Sequence, residues 1–431
     1  MKLRVKLSAW ACLLLVPTMA PAGLDQRTHA ERAVEQAYAE MWGRFVSTRG
    51  IVYDYVGELP TPKDCAEGRP NAIGWWSPIE NGPMFTGQFL QAMVRRAKRT
   101  GLGEDVARCR RLAEGLLLCA EVAETPGMIT RGVGSDGRCH YPLGSNDQTV
   151  PWFFGLDAYL RSGLGESDFR AKVVAKMAEV GDALEKAGWG IPSDGAFRRE
   201  FRGHLHNDGL PFRGATHFLL ILRALADATG LEKWKSAYAK VRDEKYPGGY
   251  EETRLDICAY GYRFDKEKSK RPFEMEPAQF WIYVCAQGCL AELAVREENP
   301  AIAARYREGL AKGADWAHGF MSGRKAYMND TERPYRYANW RTGYDWREQR
   351  TQKDAYDVAN RSKREVLGSR KHHERLTMTS PLSAAAICAY AGMYGDEIRE
   401  TLAHYDYSTP GISEFFFAPV AWEALLANEG K

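Results

Sequence analysis

The sequence has little of what marks several common protein classes. After the first 22 residues, no apolar run approaches the ~20 residues that a membrane-spanning helix needs. The motifs CxxC and HExxH are both absent, so zinc is not predicted and we expect no metal or other cofactor. The formal net charge is only +3 over 431 residues. With no recognisable nucleic-acid module, nucleic acid is not an expected partner.

The first residues have the pattern of a secretory signal. Basic residues precede the apolar run Leu7–Val16, and the small residues Ala20-Pro21-Ala22 follow it before Gly23. Met1–Ala22 is therefore predicted to be a signal peptide. We expect a secreted or periplasmic protein without a membrane span after cleavage, with residues 23–431 forming a single domain.

Eight cysteines follow the signal, and they do not form an obvious disulfide framework. Five occupy apolar helical faces, which predicts free core thiols: Cys109, Cys119, Cys285, Cys289 and Cys388. Cys65, Cys139 and Cys258 fall in predicted loops, where the sequence leaves pairing open. His217 lies on an apolar helical face and is interpreted as a core histidine whose hydrogen bonds are satisfied.

Helical periodicity is strong and strand alternation is weak. Apolar residues at spacings of three and four predict twelve helices: His29 to Phe45, Phe85 to Arg99, Val106 to Val122, Val150 to Leu160, Phe169 to Leu184, Ala215 to Ala228, Trp234 to Val241, Pro277 to Val295, Ala301 to Trp316, Leu382 to Tyr394, Ile398 to Tyr405 and Phe415 to Leu426.

Five short breaks join these helices in pairs. They contain Gly101, Gly163, Gly230, Pro300 and Gly395, at intervals of roughly 60 to 95 residues. Packing the first helix against the last would bury both and close a ring. We therefore predict an all-α fold, an (α/α) toroid of about six to seven helical hairpins with the long loops on one rim.

The long loops contain the candidate functional residues, since loops of this length are usually functional. The richest window runs from Phe197 to Asp208 and holds two histidines, arginines and a glutamate before a helix start. Arginines with aromatic neighbours are suited to an acidic polysaccharide, because guanidinium binds carboxylates and rings stack on sugars. The substrate-binding candidates are His204, Asn207, Arg199, His140, Asn146, Trp75, Trp76, Tyr262 and Trp340.

A second window, Arg254–Arg263, places a tyrosine near arginines. A phenolate stabilised by an arginine is a usable base that later returns the proton as an acid. Packing is an equally good interpretation of such a tyrosine. Asn146 or Asp147 is predicted to cap the helix that follows it.

Taken together, the toroid, the signal peptide, Glu200 and His206 in one loop, and Arg254 six residues before Tyr260 resemble the family 38 polysaccharide lyases. Those enzymes cleave glucuronan or alginate by β-elimination without a metal. The resemblance implies that Tyr260 is the acid and base and that Arg254 activates it. His206 and Glu200 would neutralise the substrate carboxylate, with Tyr262 or His204 as replacements for these first choices.

Two other functions remain open at this point. A glycoside hydrolase on the same scaffold would use paired carboxylates, for which Asp147, Glu200 and Asp208 are available. A non-catalytic glycan-binding protein would need only the loop surface.

Overall fold

The computed structural model describes residues 22–56, 61, 63–64, 78–270, 277–328, 350–355, 357 and 369–430. Residues 1–21 of the predicted signal peptide lie outside the described residues. Cys65, Trp75, Trp76 and Trp340 lie outside them as well.

The described chain is mostly helical, and it contains no β-strand beyond isolated bridges. Fifteen α-helices follow one another in this order: α1 (Ala22–Glu40), α2 (Gly82–Thr100), α3 (Gly103–Glu121), α4 (Asn146–Ser162), α5 (Ser167–Lys186), α6 (Pro211–Thr229), α7 (Glu232–Asp243), α8 (Arg254–Tyr260), α9 (Arg263–Glu267), α10 (Val284–Arg296), α11 (Pro300–His318), α12 (Ser369–Glu374), α13 (Ser380–Ala391), α14 (Gly395–Ala403) and α15 (Phe417–Glu429). The prediction of an all-α fold is confirmed.

Each of the twelve predicted helices coincides with one of these, and α8, α9 and α12 are additional. The predicted loop around Cys258 was wrong, because a capping box starts α8 there. The Thr253 hydroxyl accepts a hydrogen bond from the Asp256 amide, and the Asp256 carboxylate accepts one from the Thr253 amide. A π turn, Arg375–Thr379, joins α12 directly to α13 inside the predicted connection before Pro381.

The glycines of the predicted breaks end their helices as expected in three cases. Gly101, Gly163 and Gly230 adopt left-handed backbone with φ of 66°, 74° and 69°. At the last break the prediction named the wrong residue, since Gly392, with φ of 68°, ends α13. Tyr394 then takes a positive φ of 62° before α14 begins.

Six helices contact one another in succession. Helix α2 packs against α4, α4 against α6, α6 against α10, α10 against α13, α13 against α15, and α15 against α2. The other long helices lie beside them: α3 contacts α2 and α4, α5 contacts α4 and α6, α7 contacts α6, α11 contacts α10 and α13, and α14 contacts α13 and α15. Helix α1 packs against α14 and α15, so the first and last helices are joined as predicted. We call α2, α4, α6, α10, α13 and α15 the inner helices.

Two inner helices approach each other at the level of the backbone. A Cβ atom added at Gly87 in α2 would lie 1.9 Å from the carbonyl oxygen of Pro151 in α4. One added at Gly155 would lie 2.7 Å from the Gly87 Cα atom. Glycine is therefore required at this helix crossing by space rather than by backbone conformation.

The predicted core cysteines are buried free thiols: Cys109, Cys119, Cys285, Cys289 and Cys388. Cys258 is buried in α8 and is also a free thiol. Among the described helices, none combines the length and apolarity needed to cross a membrane.

Asp265 is a fully buried carboxyl that supports the start of α6. It accepts a hydrogen bond of 2.7 Å from the Phe212 amide and one of 3.1 Å from the Tyr283 hydroxyl. Burial raises the pKa of Asp265 to about 7. The folded state therefore holds this proton more tightly than the unfolded chain, in which an aspartate has a pKa of about 3.9.

Replacing Asp265 by asparagine is expected to flatten the pH dependence of stability. The contribution of the tightly held proton is complete below the unfolded pKa and is lost as the pH rises to about 7. An amide resembles the protonated acid and cannot ionise. Urea unfolding should therefore show that, between about pH 5 and about pH 8, the free energy of unfolding of Asp265→Asn rises by roughly 1–4 kcal/mol relative to that of the wild type. Parallel profiles for the two proteins would contradict this. Asp182→Asn, at an exposed position, is the control and should show no such gain.

Candidate active site

A polar pocket of about 380 Å³ opens at one end of the inner helices. Its lining is rich in arginine, carboxylate and amide groups: Glu80, Asn81, Arg131, Ser145, Asn146, Asp147, Arg202, Gly203, His204, Asn207, Asp208, Gly209, Arg213, Trp281 and Arg375. Most of these residues stand immediately before, or in the first turn of, an inner helix. Three of those helices, α2, α4 and α6, begin at the pocket, where the positive ends of their dipoles favour an anion.

Ser145 caps α4, so the prediction that Asn146 or Asp147 is the cap was wrong. The Ser145 hydroxyl accepts a hydrogen bond of 3.2 Å from the Asp147 amide. The side chains of Asn146 and Asp147 are consequently free from capping and line the pocket. Asn81 precedes α2, but its side-chain amide donates to Asp54 at 2.6 Å and does not cap the helix.

The loop that carries His204 is folded back on itself by backbone hydrogen bonds. Gly190 and His204 form an isolated antiparallel bridge. The Ile191 amide donates to the Gly203 carbonyl at 2.8 Å, and the Leu205 amide donates to the Trp189 carbonyl at 2.9 Å. These bonds fix the backbone on both sides of His204, so the exposed imidazole is presented to the pocket from a rigid support.

Arg213 organises one wall of the pocket. It forms a bidentate pair with Asp208, at 3.1 and 3.0 Å, and donates to Asp147 at 2.9 Å. Asn146 donates to the same Asp208 carboxylate at 3.1 Å. Burial alone would raise the pKa of Asp208, but the charge and hydrogen bonds of Arg213 lower it below its ordinary value. Asp208 is therefore a charged structural partner.

A second carboxyl pair consists of Glu80, which lines the pocket, and Asp54, which does not. Asp54 is buried and accepts hydrogen bonds of 2.6 Å from both the backbone and the side-chain amide of Asn81. Burial, together with the nearby charge of Glu80, raises the pKa of Asp54. The Lys371 ammonium lies 3.9 Å from Glu80. A carboxyl that holds its proton at higher pH thus stands behind the Glu80 side chain in the lining.

Arg131 and Arg202 bring positive charge together in this pocket, and Arg375 adds a further guanidinium to the lining. Arg131 is buried, and burial lowers its pKa; the charges of Asp147 and Glu80 oppose this shift, whereas the charge of Arg202 adds to it. The Arg131 guanidinium donates weakly to the Asn81 side chain at 3.4 Å. Arg375 is paired with the buried Glu414 at 2.9 and 3.1 Å, and its guanidinium lies 5.3 Å from the Trp281 ring centroid. The π turn that carries Arg375 is a feature often found at functional sites.

The structure brings the predicted residues His204, Asn207 and Asn146 into this pocket, and Asp147 and Asp208 of the hydrolase alternative line it as well. His206 lies just behind, with its ring 5.4 Å from that of His204. Burial, followed by the charges of His204 and Arg254, lowers the pKa of His206.

Glu200, Arg199 and His140 do not line the pocket. Glu200 accepts a hydrogen bond of 3.1 Å from the Gln352 amide, and Arg199 is exposed beside it in the chain. His140 contacts Asp194 at 2.7 Å. Burial opposes protonation of His140, but the Asp194 hydrogen bond prevails and raises its pKa. This histidine tethers two loops, so its assignment to substrate binding finds no support in the geometry.

The predicted grouping of Tyr260, Arg254, His206 and Glu200 in one trough was wrong. Tyr260 lines a different cavity, of about 590 Å³, with Arg263, Glu267, Lys312, Asp315 and Trp316. Its hydroxyl donates to Glu267 at 2.7 Å, and that hydrogen bond raises the pKa of Tyr260. The phenolate is thereby disfavoured, contrary to what the neighbouring arginine suggested.

Arg254 and Tyr262 have structural surroundings. The buried Arg254 guanidinium donates to the carbonyl oxygens of Val241 and His206, at 3.2 and 3.0 Å. Arg254 therefore supports the His206 backbone and does not contact the Tyr260 hydroxyl. Tyr262 is fully buried and stacks on Tyr283 and Trp316, and burial raises its pKa well above the ordinary value.

Sequence reasoning missed Glu80, Arg131, Trp281 and Arg375. A usable signal existed for two of them, because Glu80 and Asn81 directly precede the Gly82-Pro83 start of α2, and Trp281 precedes α10. The same rule, that residues just before a helix start share one rim, identified Asn146. No family model, curated protein or solved structure matches this chain.

Proposed function

We propose that this is an exported enzyme that cleaves a uronate-containing polysaccharide by β-elimination on an (α/α) toroid. The closed succession of contacts among the inner helices, with companion helices on the outside, supports the toroid. The signal-like residues 1–22 support export. Glucuronan and alginate are the substrates that the sequence resemblance suggests.

The observation that carries the proposal is the convergence of Arg131 and Arg202 on the pocket that also holds His204. Two guanidinium groups that line one pocket attract an anion, and the carboxylates Glu80, Asp147 and Asp208 in the same lining offset part of their charge. Three inner helices also begin at this pocket, which adds to its attraction for anions. A uronate carboxylate satisfies both features, and Trp281 supplies an apolar face for the sugar ring.

Elimination needs a carboxylate whose charge is reduced, a base, and a proton for the leaving oxygen. In our proposal Arg131 and Arg202 stabilise the negative charge that develops on the carboxylate as the adjacent C–H bond breaks. His204 takes that proton, since histidine is the side chain that most often serves as a general base. The electron pair of the C–H bond becomes the C=C bond, the glycosidic C–O bond breaks, and the protonated His204 imidazole returns its proton to the departing oxygen. His204 thus replaces Tyr260 in this role.

Hydrolysis is the second candidate, because the lining also contains the carboxyl pair that hydrolysis requires. Glu80, backed by Asp54 with its raised pKa, suits a proton donor, and Asp147 suits a base that activates water. Both side chains belong to the lining, as the paired-carboxylate mechanism demands.

A polymer screen distinguishes these reactions. The mature protein is incubated with glucuronan, alginate, pectate, chondroitin and hyaluronan, and both ultraviolet absorbance and reducing ends are followed. Elimination produces an absorbing unsaturated uronate with each new end. New reducing ends without absorbance would establish hydrolysis and overturn the elimination proposal. Binding of a polymer without any new end would leave only the glycan-binding function.

Replacing Tyr260 by phenylalanine is expected to leave turnover within about twofold of wild type. The hydroxyl contacts Glu267 in a separate cavity and has no contact with the arginine-rich pocket. Exposed substitutions of this kind change stability by roughly 0.5 kcal/mol or less. Steady-state kinetics on the substrate found in the screen provides the measurement. A loss of a hundredfold or more would return the acid and base role to Tyr260, and Arg199→Gln serves as a control on an exposed side chain.

A further inference from the structure

Three potential metal ligands meet in the core beneath the pocket. His217, Cys285 and Cys289 each offer one ligand atom, a ring nitrogen or a sulfur. These three atoms all lie within 4.8 Å of one another. The two sulfur atoms are 4.0 Å apart. All three side chains are buried, with exposed fractions of 5%, 2% and 0% in that order.

The fold brings these residues together from two neighbouring inner helices. Cys285 and Cys289 are four residues apart on α10, so they lie on the same face one turn apart. His217 lies on α6, which packs against α10. On α6, His217 is one turn deeper than Arg213, which lines the pocket. The cluster therefore sits one helical turn below the pocket and joins two of the helices that form it.

His217 has an unusual environment for a core histidine. Neither of its ring nitrogens has a hydrogen-bond partner among the described residues, although only 5% of the residue is exposed. A buried polar group without a partner costs about 1–3 kcal/mol, so native proteins rarely keep one without a reason. The interpretation of His217 as a satisfied core histidine was therefore wrong. A ligand bound to the ring nitrogen would remove this cost.

The sulfur geometry fits a shared metal ion. Two thiolates at about 2.3 Å from one ion, with angles between the tetrahedral and trigonal values, lie roughly 3.8–4.0 Å apart. The Sγ atoms of Cys285 and Cys289 already have this separation, and neither is in a disulfide. A weak contact between the two thiols would also explain the distance between the sulfurs, but it involves neither ring nitrogen of His217.

We propose that His217, Cys285 and Cys289 bind one thiophilic metal ion, Zn²⁺ or Cu⁺. On binding, each thiol releases its proton and supplies a thiolate, and the neutral imidazole supplies a nitrogen lone pair. Two thiolates balance the charge of Zn²⁺, which completes its tetrahedron with a fourth, non-protein ligand. Cu⁺ is satisfied by three soft ligands. The ion clamps α6 to α10 and so stabilises the pocket above it, independently of the reaction catalysed there.

The test begins with the metal content of the whole mature protein. Protein purified under reducing conditions without chelator is analysed for metal, and stripped protein is titrated separately with Zn²⁺ and with Cu⁺. Co²⁺ is added in a parallel sample, since thiolate ligands give it a charge-transfer absorbance. We expect about one ion per chain, a rise in Tm with metal, and protection of two cysteines from alkylation. Selectivity for either ion identifies the native metal.

Substitutions of the proposed cysteine ligands test whether these residues bind the ion. Cys285→Ala and Cys289→Ala should each weaken metal binding at least about 100-fold. Removing a group that only hydrogen-bonds to a metal ligand typically lowers metal affinity about 10- to 100-fold, and removing the ligand itself should cost more. Cys119→Ala, which removes another buried free thiol elsewhere, should bind as wild type does. The proposal is overturned if wild-type protein binds neither ion and shows no thiolate-to-cobalt absorbance. Unchanged binding in the Cys285→Ala, Cys289→Ala double variant, or a Cys285–Cys289 disulfide in metal-free native protein, would overturn it equally.

Discussion

Replacing His204 by glutamine is expected to lower kcat on a uronate polymer by about 10²- to 10⁴-fold, the usual contribution of a general base. Glutamine retains the size and hydrogen-bonding capacity of the side chain, but it cannot accept and return a proton. Because His204 is exposed and its backbone is held by the bridge to Gly190, the fold should be unaffected. KM should change little, since Arg131 and Arg202 remain to bind the carboxylate.

The kinetics of three variants together test this role. His29→Gln changes an exposed histidine on α1 and should retain wild-type kcat. Asp147→Asn should reduce activity severely only if the reaction is hydrolysis, because an elimination does not need that carboxylate as a base. If His204→Gln keeps more than about a tenth of wild-type kcat, the imidazole is not the base. A proportional rise in KM with unchanged kcat would instead assign His204 to binding.

Replacing Arg213 by methionine is expected to destabilise the fold by about 3–5 kcal/mol, because it leaves a buried carboxylate unpaired. The side chains of Arg213 and Asp208 are only 15% and 6% exposed, and they form a bidentate pair. Asp208 depends on that pair for its lowered pKa. Without the guanidinium, the carboxylate must either stay charged in a poorly hydrated site or take up a proton, and both cost stability.

A double-mutant cycle separates the lost pair from lost packing. Asp208→Asn in the Arg213→Met background removes the unpaired charge, so it should recover at least about 1 kcal/mol of the loss in urea unfolding. Arg110→Met breaks the exposed pair with Glu114, where both side chains are more than a third exposed. That control should cost no more than about 1 kcal/mol. Equal losses for Arg213→Met and Arg110→Met would show that the buried pair has no special importance.

The positions of the helices were predictable because helical periodicity is a local property. Apolar spacing along nine to twenty residues depends only on which face each helix buries, and all twelve predicted helices are present. Short helices were missed because they contain too few turns to show an apolar period. Helix α8 has only seven residues and is started by the Thr253–Asp256 capping box, which apolar periodicity does not register.

That one missed helix explains the misplaced catalytic tyrosine. The resemblance paired Arg254 with Tyr260, six residues later, on the expectation that the guanidinium stabilises the phenolate. In an α-helix, six residues correspond to about 600° of rotation, which places the two side chains about 120° apart in direction. Arg254 accordingly points inward toward His206, whereas Tyr260 points to the outer cavity.

The sequence by itself determined the helices, the short turns at one end and the crowding of polar residues into the long connections at the other. Asn146, His204 and Asn207 were found this way because each stands at, or shortly before, a helix start. Only the tertiary structure decided which connections meet. Arg131, Arg202 and Arg375 come from three distant connections, and His217 joins Cys285 and Cys289 across two helices. Such groupings depend on helix packing over long sequence separations, which local patterns of residues do not encode.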